Sequence, residues 1–195
     1  MIPKSALENI YLKGQFGDYK EKNEKDLLKI NEVKDLLIVQ IVQYKNSPGS
    51  LESIDIDNFK LNKKNLNVVS NKDTRILWIG PKNWLLVSTK KDLIKNISDV
   101  FKESDFAITD LSHSRAVFEI EGINVKEVLK KGCPFNFDSL KKNNCVNSIY
   151  NGIAFIGDMV EDNPDKIRLF ALRSFGESFY HSITDASLEF GYKIL

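Results

Sequence analysis

Residues 75–88 have the sequence RILWIGPKNWLLVS, in which two apolar runs flank Gly80-Pro81-Lys82-Asn83. Both runs are rich in branched and aromatic side chains, which favour strands, and the four residues between them are typical of a turn. The sequence therefore predicts a β-hairpin with one of the longer loops. Trp78 and Trp84 come from opposite strands of this hairpin, where such side chains either pack in the core, the more common role, or anchor another chain.

Short apolar segments on both sides of this hairpin indicate more strands. The segment over residues 36–42 is rich in β-branched residues and ends near the turn signal Pro48-Gly49. Asn151-Gly152, between two later segments, is a strong hairpin signal. The predicted strands are residues 36–42, 75–79, 84–88, 106–109, 116–120, 145–150, 153–156 and 167–172.

Three helices are predicted from caps and apolar periodicity. The first is capped by Thr89 and repeats apolar residues at 3.6-residue spacing up to residue 101. The second runs from Asn124 to Gly132. The third begins with a capping box formed by Ser174 and Glu177 and ends at Gly191.

The order of these elements predicts an α+β fold with antiparallel sheets and a few helices. Two strands followed by a helix occur twice, so two related halves are expected, over about residues 30–110 and 111–195 of a domain spanning 30–195. Residues 1–29 are charged, contain glycine and lack clear apolar periodicity in much of their length. They are interpreted as an N-terminal arm.

Composition restricts the class of partner. The 195 residues include 28 Lys and Arg and 27 Asp and Glu, and the net charge of +1 gives no reason to expect nucleic acid or a membrane surface as the main partner. The N-terminus has no continuous apolar run of the kind that directs secretion, and no run approaches the roughly 18 residues of a spanning helix. With two cysteines, which are expected to be free thiols, the sequence indicates a cytoplasmic protein.

The residues that commonly carry catalysis are few. Only two histidines are present, His113 and His181. Ser112 and His113 are neighbours, and in an extended segment their side chains point to opposite faces, so they do not form a nucleophile and base pair. The segment from Asp110 to Arg115 is more simply a polar turn in which Arg115 pairs with a carboxylate. The alternative is that His113 and Arg115 face a partner subunit.

The sequence also does not indicate a metal site or a nucleotide-binding site. Cys133 and Cys145 are separated by eleven residues with no histidine nearby, unlike the ligand spacing of zinc sites. The glycine-rich phosphate-binding motifs of dinucleotide and nucleotide sites do not occur. We therefore assign no catalytic, cofactor-binding or metal-binding residue to this chain.

Several motifs in order resemble the gamma subunit of heterotetrameric sarcosine oxidase. The resemblance covers roughly residues 30–195, and only the combination of motifs is specific. Ser148 stands where threonine often occurs in the family. The matching motifs are the tryptophan hairpin from Trp78 to Trp84, Asp110–Arg115, Lys131-Gly132-Cys133-Pro134, Cys145, Arg173-Ser174-Phe175 and Glu189-Phe190-Gly191-Tyr192.

The resemblance implies a fold like that of the folate-binding aminomethyltransferases, such as the glycine cleavage T-protein. It also implies a subunit of a bacterial complex with alpha, beta and delta partners, an oxidoreductase that acts on CH-NH donors. That complex demethylates sarcosine to glycine, produces hydrogen peroxide and passes the one-carbon unit to tetrahydrofolate. FAD, FMN, NAD and zinc are expected on the other subunits. This chain is expected to be structural and to dock on alpha, with Trp78, Trp84, His113, Arg115 and Arg173 as possible interface residues.

Two other functions remain open from the sequence. One is an independent folate-binding protein of the same fold, either a transferase or an iron-sulfur-cluster assembly factor. The assembly factors resemble Lys-Gly-Cys-Tyr, whereas Pro134 follows Cys133 here, which disfavours that function. The other is an inert adaptor of a different flavin amine dehydrogenase.

Overall fold

The computed structural model describes residues 4–47, 54–61 and 63–195. Over these residues the chain forms two compact units. Unit 1 comprises Met1–Lys34, Ser114–Lys142 and Val146–Leu195, and unit 2 comprises Asp35–His113 and Asn143–Cys145. The predicted Pro48-Gly49 turn lies outside the described residues.

The strands of the described residues are numbered along the chain. They are β1 Gly14–Phe16, β2 Leu28–Glu32, β3 Leu37–Gln43, β4 Asp55–Ile56, β5 Phe59–Lys60, β6 Val68–Ser70, β7 Thr74–Gly80, β8 Asn83–Ser88, β9 Phe106–Asp110, β10 Arg115–Glu121, β11 Cys145–Tyr150, β12 Ile153–Asp162, β13 Asp165–Leu172 and β14 Tyr192–Ile194. The α-helices are α1 Leu93–Val100, α2 Val125–Lys130 and α3 Gly176–Ser187. Short 3-10 helices cover Phe137–Ser139, Arg173–Phe175 and Leu188–Phe190.

Unit 1 is built on a seven-stranded sheet in the order β1-β14-β2-β10-β13-β12-β11. Helices α2 and α3 contact each other and β13, and α3 also contacts β10. The core is rich in aromatic side chains: the ring of Phe179 on α3 lies 5.4 Å from that of Phe118 and 5.5 Å from that of Phe155, centroid to centroid. An antiparallel sheet was expected, but β14 pairs with β2 in parallel, so the sheet is mixed.

The N-terminal residues belong to the core and sheet of unit 1. Leu7, Leu27 and Leu28 are buried. Strand β1 pairs with β14, and β2 pairs with both β14 and β10. Residues 1–29 were expected to form an N-terminal arm. Their described part instead belongs to unit 1, because it supplies hydrogen-bond partners for backbone groups of β10 and β14. The units divide at residues 34 and 113, close to the expected boundaries of about 30 and 110.

Unit 2 contains a five-stranded sheet in the order β6-β7-β8-β3-β9, a small β4-β5 hairpin and α1. Its core includes Trp84 and Leu86 from β8 and Ile97 from α1. The predicted hairpin forms from β7 and β8. Its turn has only the two residues Pro81 and Lys82 between the strands, with a register shift between Trp78 and Gly80, so the expectation of a longer loop was wrong.

The predicted strands are all present, and α2 starts after Asn124 as predicted, but the starts of α1 and α3 differ from prediction. Helix α1 begins at Leu93 with Asp92 at its N-cap position, three residues after the expected cap at Thr89. Helix α3 begins at Gly176 after Phe175, which makes no side-chain cap hydrogen bond, so the capping box of Ser174 and Glu177 does not open it. A 3-10 turn over Arg173–Phe175 precedes the helix, and the N-cap position is Phe175, one residue after the expected Ser174.

Candidate partner-contact surface

The two tryptophans lie directly opposite each other in the β7-β8 ladder of unit 2. Trp84 is 1% exposed and belongs to the core of this unit, whereas Trp78 is partly buried and packs against the same core. Opposite residues of an antiparallel pair share a face, so the arrangement is a cross-strand core pair. This removes Trp84 from the possible interface residues, because its side chain is not available at the surface.

The segment that contains Ser112 forms a polar turn at the end of β9. The Asp110 carboxylate accepts hydrogen bonds from the Ser112 hydroxyl at 2.6 Å and from its backbone N–H at 2.9 Å. The Ser112 hydroxyl oxygen accepts from the backbone N–H of Ile38 at 3.0 Å. These bonds to Ser112, assisted by the charge of His113, hold the pKa of Asp110 below its ordinary value. The serine thus closes a turn, and His113 is exposed.

Arg115 is the first residue of β10 and lies opposite Leu172 of β13. Its guanidinium donates to the backbone oxygen and to the hydroxyl of Ser114, both at 3.3 Å. Burial lowers its pKa from the ordinary value, although an arginine stays charged in proteins. Among the described residues no carboxylate forms an ion pair with it, contrary to the expected carboxylate partner.

Arg173 follows directly after β13 and belongs to the same corner. Its backbone N–H donates to the Ser114 oxygen at 2.9 Å, which continues the β10-β13 ladder by one step. Its exposed guanidinium donates to the backbone oxygen of Lys4. The structure thus places the backbones of Arg115 and Arg173 at neighbouring steps of the β10-β13 ladder, although the two residues are 58 positions apart in the sequence.

Two large apolar side chains at this corner were missed by sequence reasoning. Leu172 is 44% exposed and Phe175 is 49% exposed. Leu172 is the last residue of β13, and Phe175 ends the 3-10 turn before α3. The expected capping box concealed this, since it placed Phe175 inside the helix. We refer to Arg115, Leu172, Arg173 and Phe175 as the β13-α3 corner.

Another arginine of unit 1, Arg168, is neutralised by a carboxylate of the same unit. The Arg168 guanidinium donates from Nε and Nη2 to Oε1 of Glu119, each at 2.8 Å. Lys166 lies 3.2 Å from the second oxygen of that carboxylate and 3.4 Å from Glu121. Both acids are mostly shielded from solvent. Arg115, on the same pair of strands, has no such arrangement among the described residues.

Unit 2 contains an open pocket of about 410 Å³ beside α1 and the β4-β5 hairpin. Asp57 lines it, but its carboxylate accepts from Thr74 at 2.6 Å, from Lys90 at 2.9 Å and from Asn71 at 3.0 Å. These bonds, that from Thr74 foremost, lower the pKa of Asp57 to about 2. The Asp57 carboxylate therefore links the β4-β5 hairpin to Asn71, Thr74 and Lys90 and is not a free acid or base.

The two cysteines are both buried and unpaired with each other. The Cys133 thiol donates to the Ser148 hydroxyl at 3.3 Å, and the Cys145 thiol donates to the backbone oxygen of Trp78 at 3.1 Å. Over the described ranges, no three His, Cys, Asp or Glu side chains gather as a metal site would require. In the same part of the chain, every helix is too short or too polar to span a bilayer.

Comparison with solved structures supports this fold. A subunit of the heterotetrameric sarcosine oxidase from Corynebacterium sp. U-96, solved in complex with pyrrole 2-carboxylate, superposes with a TM-score of 0.82 at 20% identity over 97% of both chains. The aminomethyltransferase T of the glycine cleavage system from Bartonella henselae matches with a TM-score of 0.61 at 9% identity, over 88% of this chain and 48% of that one. The expected similarity to the aminomethyltransferase fold is thereby confirmed.

Sequence comparison agrees with the fold. The sarcosine oxidase subunit gamma of Corynebacterium sp. (strain U-96) is 27% identical over 119 residues, which cover 60% of this chain and 58% of that protein. The matched region thus spans little more than half of the relative's length. The model of the sarcosine oxidase gamma subunit family matches residues 59–189, which include the tryptophan hairpin, the polar turn and the β13-α3 corner. On this match, the chain belongs to the sarcosine oxidase gamma subunit family.

Proposed function

We propose that this chain is a non-catalytic subunit of a heterotetrameric sarcosine oxidase and that it docks on the alpha subunit. The complex would oxidise the N-methyl group of sarcosine, release glycine and hydrogen peroxide, and transfer the one-carbon unit to tetrahydrofolate. The family match over residues 59–189 carries this proposal. The contacts of Ser112 and Asp57 support the non-catalytic role, because both side chains are committed to holding turns.

In this proposal the other subunits, alpha, beta and delta, hold FAD, FMN, NAD and zinc. This chain contributes surface to the assembly and helps to enclose the path of the one-carbon intermediate. A cytoplasmic location is part of the proposal. It is supported by the two buried free thiols, since reducing compartments keep cysteines in this state.

The proposal is tested by co-expressing a tagged form of this chain with the three other subunits of a sarcosine oxidase from the same source. We expect a yellow complex with one copy of each chain. Sarcosine should bleach the flavin absorbance equally fast in this complex and in any three-chain assembly that forms without this subunit. A colourless monomer that binds tetrahydrofolate would instead favour the independent folate-binding protein.

A variant experiment separates a structural role from a catalytic one. His113→Ala should leave sarcosine-driven flavin reduction unchanged in an assembled complex, because the exposed imidazole belongs to neither core. Loss of flavin reduction in a complex that contains all four chains in normal proportion would show that His113 takes part in the chemistry. That result would contradict the non-catalytic role.

A further inference from the structure

The exposed side chains of the β13-α3 corner combine apolar surface with positive charge. Leu172 and Phe175 are roughly half exposed, although leucine and phenylalanine are usually buried. Leu172 shares its position in the ladder with Arg115, and paired residues point to the same face of a sheet. A partner that covers Leu172 therefore also approaches the Arg115 guanidinium.

The charge at this corner is not balanced within the described part of the chain. Arg115 donates only to oxygens of Ser114, and Arg173 to the backbone oxygen of Lys4, so both guanidiniums lack a carboxylate there. The acids nearest to them in sequence are Glu119, which is paired with Arg168 and Lys166, and Glu177, which is exposed and accepts a long hydrogen bond of 3.4 Å from Asn9. Burial of Arg115 by a partner requires a carboxylate, because an unpaired buried charge is costly.

The backbone holds this corner in a fixed position. The N–H of Arg173 bonds to Ser114, and Gly176 packs so closely on β10 that an added Cβ would lie 2.7 Å from that of Ala116. Such close contact leaves little room for the turn to shift. A rigid surface loses less conformational entropy when it binds, which favours its use for docking.

From these observations we propose that the β13-α3 corner receives a segment of a partner subunit that presents a carboxylate beside apolar side chains. The carboxylate would pair with Arg115, whose planar fork suits two parallel hydrogen bonds. The apolar side chains would cover Leu172 and Phe175. Arginine and aromatic residues together are typical of the energetic centre of an interface. This inference rests on the proposed function, since the partner is taken from the sarcosine oxidase complex.

A protein segment fits this surface better than a nucleic acid. Phosphate backbones are bound by rows of cations, whereas this corner offers the Arg115 guanidinium opposite Leu172 in the ladder, on a chain of net charge +1. Apolar contacts do not bind phosphates. The combination instead matches an acidic and apolar stretch of polypeptide.

The first test measures affinity for the remaining three subunits of the complex. Leu172→Ser and Phe175→Ser should each weaken binding at least about tenfold, the effect typical of an interface hot spot. The matched controls are Leu12→Ser and Ile123→Ser, which change exposed apolar residues of the same unit that are 66% and 71% exposed. The controls should bind like the wild-type chain.

The second test identifies the partner carboxylate. In the complex formed with Arg115→Lys, a carbodiimide should join the introduced amine directly to an Asp or Glu of a partner, as a new cross-link found by mass spectrometry. The same treatment of the wild-type complex is the control. A cross-link to a partner acid would support the proposal, whereas cross-links confined to this chain, or no new cross-link, would overturn it.

The outcomes separate this inference from the proposed function. If the wild-type chain assembles with the other subunits but Leu172→Ser and Phe175→Ser bind as tightly as the two controls, only the docking surface is wrong. If the wild-type chain does not assemble with them, the proposed function fails and the inference fails with it. Circular dichroism of each variant shows whether its fold is intact. If a serine variant unfolds, the cross-linking test with Arg115→Lys, which keeps the positive charge, still tests the docking surface.

Discussion

Gly176 lies against Ala116: a Cβ built on the glycine would be 2.7 Å from the Cβ of the alanine. Real Cβ atoms do not approach this closely, so the start of α3 can pack on β10 only if residue 176 has no side chain. The neighbours of these two residues, Phe175 and Arg115, are part of the proposed docking surface. The position of that surface thus depends on a contact between two of the smallest residues in the chain.

This contact predicts the effect of Gly176→Ala. Alanine normally favours a helix over glycine, but here the overpacking should dominate and destabilise the protein by about 1–3 kcal/mol. The double variant Ala116→Gly with Gly176→Ala should recover part of this loss, because it removes the methyl group that the new one meets. Urea unfolding of the wild-type chain, the single variant and the double variant measures both effects. Equal stability of the single variant and the wild-type chain would show that α3 moves away freely.

The tryptophan pair predicts unequal losses of stability. Trp84→Ala should cost about 3–5 kcal/mol, because it empties a fully buried position in the core of unit 2. Trp78→Ala should cost less, since its side chain is only partly buried. Urea unfolding followed by circular dichroism compares the two variants. If Trp78→Ala were the more damaging change, Trp78 would be the main core residue of the pair.

The ion pair of Glu119 and Arg168 predicts a double-mutant pattern. Arg168→Met should destabilise the protein by on the order of 3 kcal/mol, because the shielded Glu119 carboxylate loses its closest partner. Replacing both residues, with Glu119→Leu and Arg168→Met, should cost less than Arg168→Met alone. The free energies of unfolding of the two single variants and the double variant form the test. If the loss of stability in the double variant equals the sum of the losses in the two single variants, the residues act independently.

The hydrogen bonds of Asp57 predict a dependence of stability on pH. Its pKa is lowered to about 2 in the folded chain from an ordinary value of 3.8, mainly by Thr74. The stabilisation is therefore complete above about pH 4 and is lost as the pH falls through 2. Asp57→Asn should cost about 1.5–3 kcal/mol at pH 7, as expected for hydrogen bonds to a charged group, and much less near pH 2.

A matched control for Asp57 is Asp35→Asn. Both aspartates have a positive φ, 52° for Asp57 and 59° for Asp35, and asparagine tolerates this conformation well. Asp35 is highly exposed and lies 3.4 Å from Lys91, so its ion pair should contribute little. Thermal unfolding from pH 7 to pH 2 compares the variants. A pH-independent difference between Asp57→Asn and the wild-type chain would contradict the role of the carboxylate charge.

The cysteines predict a simple chemical result. Both thiols are buried, so a thiol reagent should react slowly with the native chain and should count two thiols after unfolding. Cys133→Ala should reduce this count to one and leave assembly of the complex unchanged. A count of zero in the unfolded chain without reductant would indicate a disulfide and contradict the reducing location that we propose.

Much of the secondary structure was predictable from local patterns. The apolar runs in residues 75–88 and the Asn151-Gly152 turn each depend on neighbours in sequence; β7, β8 and β11 formed as predicted, and β12 formed but extends to Asp162. At the turn, Asn151 and Gly152 have φ values of 47° and 84°, which these two residue types adopt at low cost. Helix starts were less predictable, because 3-10 turns and packing compete with the capping motifs.

The candidate surface was only partly predictable. Arg115 and Arg173 were both named as possible interface residues, but the closeness of their backbones follows from the pairing of β10 with β13, which joins distant parts of the chain. Leu172 and Phe175 gave no signal of exposure, since an apolar residue at the end of a strand or in a helix turn is usually buried. Trp84 was considered for an interface until the packing of unit 2 showed it to be part of the core.

The sequence by itself determined the local elements and the family, because hairpins, apolar periodicity and ordered motifs are properties of neighbouring residues. Only the tertiary structure decided that residues 14–16 and 28–32 complete the sheet of unit 1, that Trp84 is buried, and that Arg115 lies beside Leu172 without a carboxylate partner among the described residues. The physical reason is that burial and ion pairing depend on which distant segments pack together, and strand pairing between distant residues leaves no local trace in the sequence.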